Sequence, residues 1–328
     1  MVLTAQKAIP FFSYAREREA IRHRRHEEKI PRPWTQDAIL NTFRFCNVYR
    51  EDDATTAWFR EWVRDPLRSS PEVLLATVLF RWFNRSATGD AIFRQLGDYT
   101  AGRGSVRTSW EQFLLDGRTD SIRTAVRSHC GGGPYVTGSY IIKTVDGMNK
   151  LDGVLWAFDK FATRTETGQF VTEDGMLVGK MMGWREYAEL MISRPGAVSL
   201  EMVWDWLRRA LYLGDFMAYE IVTDLRHTDL LSSAPDIYTW ANPGPGAMRG
   251  LNRLHERDLS FTQKKHMFVC EMRQILEWVS DERCEAHYMW PRRDGHRVEM
   301  RDIEHTLCEF DKYERARLGQ GRPRGVLK

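Results

Sequence analysis

A glycine- and proline-rich stretch at residues 240–251 has the composition of an anion-binding turn. It reads Trp-Ala-Asn-Pro-Gly-Pro-Gly-Ala-Met-Arg-Gly-Leu and leads into a helix with Arg249 in its first turn. Backbone amides at a helix start, the positive end of the helix dipole and a guanidinium favour phosphate or pyrophosphate. Gly244, Gly246 and Arg249 are therefore candidate pyrophosphate ligands. The same spacing also fits an ordinary helix start in which Gly246 and Gly250 allow close packing.

A second segment combines a hairpin glycine with a downstream aspartate. Residues 211–218 place Gly214 in a turn before a new apolar helix, and Asp236 follows less than twenty residues later. This arrangement resembles the helix-hairpin-helix element of DNA glycosylases, in which hairpin amides bind a DNA phosphate and the aspartate faces the flipped nucleotide. The lyase-type enzymes carry a lysine in the hairpin, where this chain has Phe216 and Met217, so attack on the sugar by an amine is not expected. A plain helical turn with a capping aspartate is the alternative.

Motifs for nucleotide, zinc-dependent and serine hydrolysis are missing from the chain. Residues 175–181 approach a phosphate-binding P-loop, but the run is one residue short and lacks the metal-binding hydroxyl. His305 and Glu309, at i and i+4, could share a metal ion, although a hydrogen-bonded pair on a helix face is the commoner arrangement. The sequence predicts no metal site and no cofactor, and it leaves open whether a divalent metal accompanies the substrate.

The elements that carry these residues follow helical spacing. Ser199 is a predicted N-cap before an apolar stripe, Thr35 is a predicted cap of another helix, and residues 140–145 form a weak strand pattern. The apolar faces are Leu200, Val203, Trp204, Leu207 and Leu211 in the first helix and Phe268, Met272, Ile275, Leu276 and Val279 in a later one. These patterns predict an all-α fold.

The length of 328 residues suits one large domain or two lobes. A triple glycine at residues 131–133 is the strongest break, so the predicted division is an N-terminal helical lobe at 1–130, a second lobe at 131–315 and a basic tail at 316–328. No apolar run approaches the ~20 residues of a membrane span, and no secretory signal is evident. We therefore expect a cytoplasmic protein without membrane contact.

Charge is nearly balanced overall but is uneven along the chain. The 48 Lys and Arg residues exceed the 45 Asp and Glu residues by a formal +3. The tail at 316–328 is basic, and Arg317, Arg322 and Arg324 are candidate contacts to DNA phosphates. A solvated tail would have the same composition, so charge alone does not identify the partner.

Four longer segments together resemble one family. They are residues 33–37 (PWTQD), 43–53 (FRFCNVYREDD), 137–140 (TGSY) and 303–315 (IEHTLCEFDKYER). The chain that contains them is similar to the alpha-glutamyl/putrescinyl thymine pyrophosphorylase family of phage DNA-hypermodification enzymes. The first two segments are also shared with the helical domain attached to 5-hydroxymethyluracil DNA kinases, and the missing P-loop favours the transferase.

The resemblance implies a helix-hairpin-helix, glycosylase-like helical fold with an additional N-terminal helical region. It also implies a reaction on DNA. A kinase first converts 5-hydroxymethyluracil to its 5-pyrophosphoryloxymethyl form, and the transferase then replaces pyrophosphate with an amine from an amino acid or polyamine. The enzyme must extrude the base, stabilise the charge of the leaving group and present a neutral amine.

With that reaction in view, the candidate residues receive roles. Asp236 is the predicted general base or electrostatic partner of the amine. The predicted pyrophosphate ligands are Arg44, Arg50, Lys143 and Arg249, with the amides of Gly244 and Gly246. The residues that would recognise the amine, or merely bind one another, are His305, Glu309 and Lys312, which share a helix face. Gly214 and the arginines of the tail are the predicted DNA contacts.

Two other functions fit the same residues. A DNA N-glycosylase acting on a modified thymine would release a free base, with Asp236 stabilising the sugar cation. A non-catalytic DNA-binding module would instead recruit a 5-hydroxymethyluracil DNA kinase. The expected partners are double-stranded DNA with modified thymine, a free amino acid or polyamine, and this kinase.

Overall fold

The computed structural model describes residues 3–93, 109–323 and 325–327. Most of these residues are helical, which confirms the predicted helical class, while the finer helix-hairpin-helix glycosylase-like fold stays a prediction. The α-helices of the described ranges are α1 Ile9–His26, α2 Ala38–Thr42, α3 Ala54–Phe59, α4 Glu72–Phe83, α5 Ser86–Phe93, α6 Ser109–Asp116, α7 Asp120–Cys130, α8 Lys150–Thr163, α9 Trp184–Ser193, α10 Leu200–Arg208, α11 Gly214–Leu225, α12 Pro245–Leu254, α13 Lys265–Ser280, α14 Glu285–Met289 and α15 Met300–Arg317.

Two strands form an antiparallel hairpin, β1 Glu166–Val171 and β2 Leu177–Met182. The strand predicted at residues 140–145 is irregular instead. The hairpin contains the run that approaches a P-loop, and Gly175 adopts a positive φ of 81° in its turn. That run is therefore a β-turn with its strand. No helix in the described part of the chain is long and apolar enough to cross a membrane.

The chain divides into two compact units. The first combines residues 1–53 with residues 237–328, and the second holds residues 54–236. The predicted lobes at 1–130 and 131–315 do not coincide with these units, because the chain leaves the first unit and later returns to it. The triple glycine at 131–133 lies inside the second unit.

In the first unit, α12 and α15 pack against each other at unusually short distance. A Cβ added to Gly250 would lie 2.5 Å from the carbonyl oxygen of Leu307, and one added to Gly246 would collide with Cys308 Sγ. The interpretation of Gly246 and Gly250 as close-packing glycines is therefore confirmed. The aromatic core lies beside this pair, where Phe11 of α1 is 5.7 Å, between ring centroids, from Phe310.

The second unit is built around α4, all of whose residues after Glu72 are buried. Arg81 of this helix is buried with Asp224 of α11, and its Nη2 donates to Asp224 Oδ1 at 2.7 Å. Arg81 Nη1 also donates to Asn84 Oδ1 at 2.9 Å. Since removing one partner of a buried ion pair costs roughly 3–5 kcal/mol, this contact fixes α11 against α4.

The predicted helix caps had two different outcomes. Ser199 caps α10 as predicted, with Oγ accepting from the amide of Met202 at 3.1 Å. The stripe of α10 is buried except for Leu211, which is 54% exposed because the helix ends at Arg208. Thr35 is not the cap of α2. Its hydroxyl accepts from the amide of Asp37, and the carboxylate of Asp37 caps the helix. The apolar face predicted for α13 is buried throughout.

Candidate functional site

Two of the signature segments, residues 43–53 and 303–315, meet in the first unit. The backbone amide of Cys46 donates to Oε2 of Glu309, with a distance of 2.8 Å. Lys312 donates to the same oxygen at 3.0 Å. We call the polar side chains around this contact the signature cluster, and its members are Cys46, Arg50, Asp53, His305, Glu309 and Lys312.

The loop that supplies Cys46 and Asp53 is shaped by its own side chains and by α1. The amide nitrogen and side-chain nitrogen of Asn47 both donate to Asp53 Oδ1, at 2.9 and 3.1 Å. Arg18 of α1 donates to the carbonyl oxygens of Phe45 and Cys46 and to Asn47 Oδ1. This network presents one face of the loop to α15, so the loop is positioned by hydrogen bonds that also orient the Asp53 carboxylate.

Three different kinds of metal-ligating atom lie together in the cluster. The ligand atoms of Cys46, Asp53 and His305 are all within 4.8 Å of one another, and all three side chains are half-buried. His305 Nε2 is buried and has no hydrogen-bond partner among the described residues. A buried polar atom without a partner costs about 1–3 kcal/mol, so this arrangement does not serve stability alone.

The side chains of the signature cluster differ in how readily they become charged. Burial and the nearby Arg50 lower the pKa of His305 to about 3. Burial raises the pKa of the Asp53 carboxyl and that of the Cys46 thiol. Burial also opposes ionisation of Glu309, but Lys312 and the Cys46 amide outweigh it and its net pKa is lowered. An ionised carboxylate therefore lies beside the ammonium group of Lys312, and the imidazole in the same cluster is uncharged.

Sequence reasoning predicted four members of this cluster and missed two. Arg50, His305, Glu309 and Lys312 were predicted, and the structure brings them together. Cys46 and Asp53 were not singled out, although both lie inside the signature segment 43–53. The i, i+4 pair predicted for His305 and Glu309 has no hydrogen bond between its members, since Glu309 bonds to Lys312 and to the Cys46 amide.

Asp236 holds the start of a helix in the structure, and its catalytic role stays a prediction. Its Oδ1 accepts from the amide of Leu200 at 2.7 Å and its Oδ2 from that of Glu201 at 3.0 Å. Both carboxylate oxygens thus hold the first turn of α10. The capping alternative accounts for this residue, because a carboxylate engaged by two amides at a helix start is a stabilising contact.

In the predicted anion cradle at residues 240–251, the amide of Gly244 and the side chain of Arg249 contact carboxylates, and the pyrophosphate role of this segment stays a prediction. The amide of Gly244 donates to Glu304 Oε1 at 3.2 Å, and a carboxylate at this position repels an anion. Arg249 Nε lies 2.9 Å from Oδ2 of the buried Asp311. Arg253 and Arg315 pair with the same carboxylate, at 3.0 and 3.3 Å. One carboxylate therefore holds three guanidinium groups, which we call the Asp311 arginine cluster.

Two other predicted pyrophosphate ligands lie outside the signature cluster. Arg44 is exposed, and its amide donates to the carbonyl oxygen of Gly325 at 2.9 Å. Lys143 is exposed in the second unit. The pyrophosphate role of Arg44 and Lys143 stays a prediction.

At the position of the predicted hairpin, a turn connects α10 to α11 in the second unit. Gly214 adopts a φ of +59°, which a glycine takes without strain. The side chains of Leu211 and Phe216 at this turn are 54% and 52% exposed. An exposed turn of this kind is available to a partner, and the DNA role of Gly214 stays a prediction.

Part of the basic tail at residues 316–328 is hydrogen-bonded to other residues of the first unit. Arg317 ends α15 and binds both oxygens of Glu314 at 2.8 Å. Arg322 is exposed, while Arg324 lies outside the described residues. The amide of Leu327 donates to the carbonyl oxygen of Thr42 at 2.9 Å, so Leu327 pairs with the last residue of α2, just before the segment that carries Cys46.

Comparison with known proteins places the chain in a family. A family model described as 5-hmdU DNA kinase, helical domain, matches residues 7–322. The 5-hmdU DNA kinase of Bacillus phage SP10 is 24% identical over 308 residues, which cover 90% of this chain and 43% of the phage protein. The chain thus spans less than half the length of this relative, and no solved structure matches it significantly. Because the family model matches nearly all residues of this chain, the chain belongs to the 5-hmdU DNA kinase helical-domain family.

Proposed function

We propose that this chain acts in the hypermodification of thymine in DNA, as the transferase that exchanges pyrophosphate for an amine on 5-pyrophosphoryloxymethyl-uracil. The observation that carries the proposal is the signature cluster, in which two distant segments place cationic, anionic and neutral polar side chains together. A relative named a 5-hmdU DNA kinase supports the DNA context. The chain itself has no P-loop, which supports a step other than phosphoryl transfer from ATP.

The charges of the cluster match the two halves of this reaction. Arg50 supplies a guanidinium where negative charge develops on the departing pyrophosphate. Glu309 holds the ammonium group of Lys312 at 3.0 Å, which is the contact that the amino group of a donor requires. We assign Arg50 to the leaving group and Glu309 to the donor. Lys312 balances the carboxylate until the donor arrives.

In the exchange itself, the C–O bond between the exocyclic carbon and pyrophosphate breaks, and the electron pair leaves with pyrophosphate. The lone pair of the neutral amine forms the new C–N bond at that carbon, and the resulting ammonium nitrogen then loses one proton to water. The ring remains attached to the sugar. Atoms and charge balance without an oxidant or reductant.

The direct test is incubation with DNA that carries 5-pyrophosphoryloxymethyl-uracil and a mixed pool of amino acids and polyamines. Nucleoside mass spectrometry should show an amine-substituted nucleoside, and pyrophosphate should be released in equal amount. Arg50→Ala should lower turnover by about 100-fold or more, the scale of a lost oxyanion donor. Glu309→Gln removes the charge that holds the amino group of the donor, and it should also lower turnover. Arg44→Ala is the matched control, since Arg44 lies on the same segment but is exposed. Release of a free base with an abasic site would instead identify a glycosylase.

A DNA-binding module that serves a kinase is the second candidate. The Asp311 arginine cluster favours it, since three guanidinium groups share one carboxylate and Arg249 and Arg315 remain 34% and 42% exposed. Such a surface suits DNA phosphates. Under this function the chain binds modified DNA, releases no pyrophosphate and increases the rate of a separately added 5-hydroxymethyluracil kinase.

A further inference from the structure

We infer that Cys46, Asp53 and His305 form a binding site for a zinc-type divalent transition metal ion. Their sulfur, oxygen and nitrogen ligand atoms lie within 4.8 Å of one another. Metal binding at these residues does not require the proposed reaction.

The distances are close to those of a coordinated set. Zinc bonds of about 2.0–2.3 Å in a tetrahedral arrangement place ligand atoms roughly 3.3–3.8 Å apart. Each pair of ligand atoms therefore needs to approach by about 1.5 Å at most, which side-chain rotation supplies. Three protein ligands leave a fourth position open, as in zinc sites that act on a substrate.

The types of ligand atom at this site favour some metal ions over others. A thiolate with an imidazole suits zinc, cobalt or iron, whereas magnesium and calcium prefer ligand sets made of oxygen alone. Cys46 and Asp53 would supply two negative charges to a divalent ion. Arg50 lies near enough to disfavour a cation, so these two anionic ligands are required together.

The surroundings fit a ligand set better than an ordinary polar core. His305 Nε2 is buried without a hydrogen-bond partner among the described residues, and a metal ion would satisfy it. Asn47 directs two nitrogen donors to one oxygen of Asp53, Oδ1. This contact orients the carboxylate in the way that outer hydrogen bonds orient metal ligands.

The open fourth coordination position of the metal ion could accept an oxygen of the substrate, and this role rests on the proposed function. A metal ion held beside Arg50 would offer a second positive charge to an oxygen of pyrophosphate. Metal binding and pyrophosphate release are measured separately, so the failure of one does not decide the other.

Cobalt is the probe for the test, because a cysteine thiolate bound to Co²⁺ gives a charge-transfer band and tetrahedral Co²⁺ gives intense visible absorption. The full chain, freed of metal with a chelator, should bind one equivalent of Co²⁺ with both features, and Zn²⁺ should displace it. Cys46→Ser should abolish the charge-transfer band. His305→Gln and Asp53→Asn should weaken binding by more than about 100-fold, beyond the 10–100-fold effect of outer-shell changes.

Cys308→Ser is the matched control, since Cys308 is on the same helix as His305 but belongs to the contact with Gly246. It should keep the band. Circular dichroism of each metal-free variant reports whether it folds. For wild-type protein loaded with zinc, X-ray absorption should show one sulfur among nitrogen and oxygen ligands, and this measurement needs no variant. Absence of the band in wild-type protein, its persistence in Cys46→Ser, or a zinc shell without sulfur would each overturn the assignment.

Discussion

Replacement of Asp236 by alanine distinguishes a catalytic aspartate from a capping one. The carboxylate accepts from the amides of Leu200 and Glu201, at 2.7 and 3.0 Å, and these are among the first amides of α10. The variant leaves both amides without their acceptor. Ser199 still caps the amide of Met202, so the helix start is weakened but not lost.

The expected cost follows from this geometry. Loss of a capping side chain costs about 0.5–2 kcal/mol, and loss of a negative charge at a helix start adds about 0.3–1 kcal/mol. Burial raises the pKa of Asp236, against the effect of the two amides, so part of the charge interaction is offset by desolvation. We therefore expect Asp236→Ala to lower the free energy of unfolding by about 1–2 kcal/mol. Asp236→Asn keeps one acceptor oxygen and should lose roughly half as much.

The assay is urea unfolding of the wild type and both variants, with turnover on pyrophosphorylated DNA measured at a temperature where all three are folded. Asp146→Ala is the control, because Asp146 is an exposed aspartate in the same unit. The capping role predicts a clear loss of stability with turnover within a few-fold of wild type. Unchanged stability together with a drop in turnover of about 100-fold, the scale of a lost general base, would refute this reasoning.

Three further predictions concern packing, pH and DNA. Gly250→Ala should lower the free energy of unfolding by about 1–3 kcal/mol in urea titration, because the new Cβ meets a carbonyl oxygen 2.5 Å away. Gly132→Ala is the control and should not lower the free energy of unfolding, because nothing lies within 4 Å of its added Cβ. The hydrogen bond that His296 donates to the Asp302 carboxylate raises the pKa of His296 above its ordinary 6.5, so its stabilisation is complete below that value and is lost as pH rises through the raised pKa. The stability difference between wild type and His296→Gln should accordingly shrink from pH 6 to pH 8, and a constant difference would exclude the ion pair as its cause. Arg322→Ala should reduce the log–log salt slope of DNA binding by about 0.9, and an unchanged slope would remove Arg322 from the phosphate contacts.

Local sequence patterns predicted the helices well because their causes are local. Ser199 and the stripe behind it specify a cap and one buried face, and both are present in α10. Leu211 departs from the stripe because the helix ends three residues earlier, at Arg208. The cap of α2 was misassigned by two residues, since Thr35 and Asp37 are both good cap residues and only the backbone geometry decides between them.

The site could be predicted only in part because its contacts join distant residues. The hydrogen bond between the Cys46 amide and Glu309 spans most of the chain, and no periodic pattern encodes it. The resemblance singled out both segments, but it assigned Arg44 and Arg50 equal roles although only Arg50 enters the signature cluster. Likewise, the partner of Asp236 is the start of a helix earlier in the chain, so spacing to the hairpin could not reveal it.

One face of α15 carries residues of the signature cluster, and a second face packs against α12. His305, Glu309 and Lys312 follow helical spacing on one face and belong to the signature cluster. The neighbouring face, about a third of a turn away, carries Cys308 and Asp311 against α12. Because α12 approaches without side chains at Gly246 and Gly250, the helix has little freedom to rotate or slide.

A substitution that disturbs the packing of α12 against α15 should therefore affect the signature cluster. Gly250→Ala pushes on the backbone at Leu307, one residue from Cys308 and two from His305. A shift of several tenths of an ångström there would separate the imidazole from Cys46 and Asp53, whose loop is held by α1 through Arg18. If the signature cluster binds a metal ion, this variant should weaken Co²⁺ binding while keeping every ligand, and unchanged affinity in the folded variant would mean that the close packing of α12 does not position the cluster.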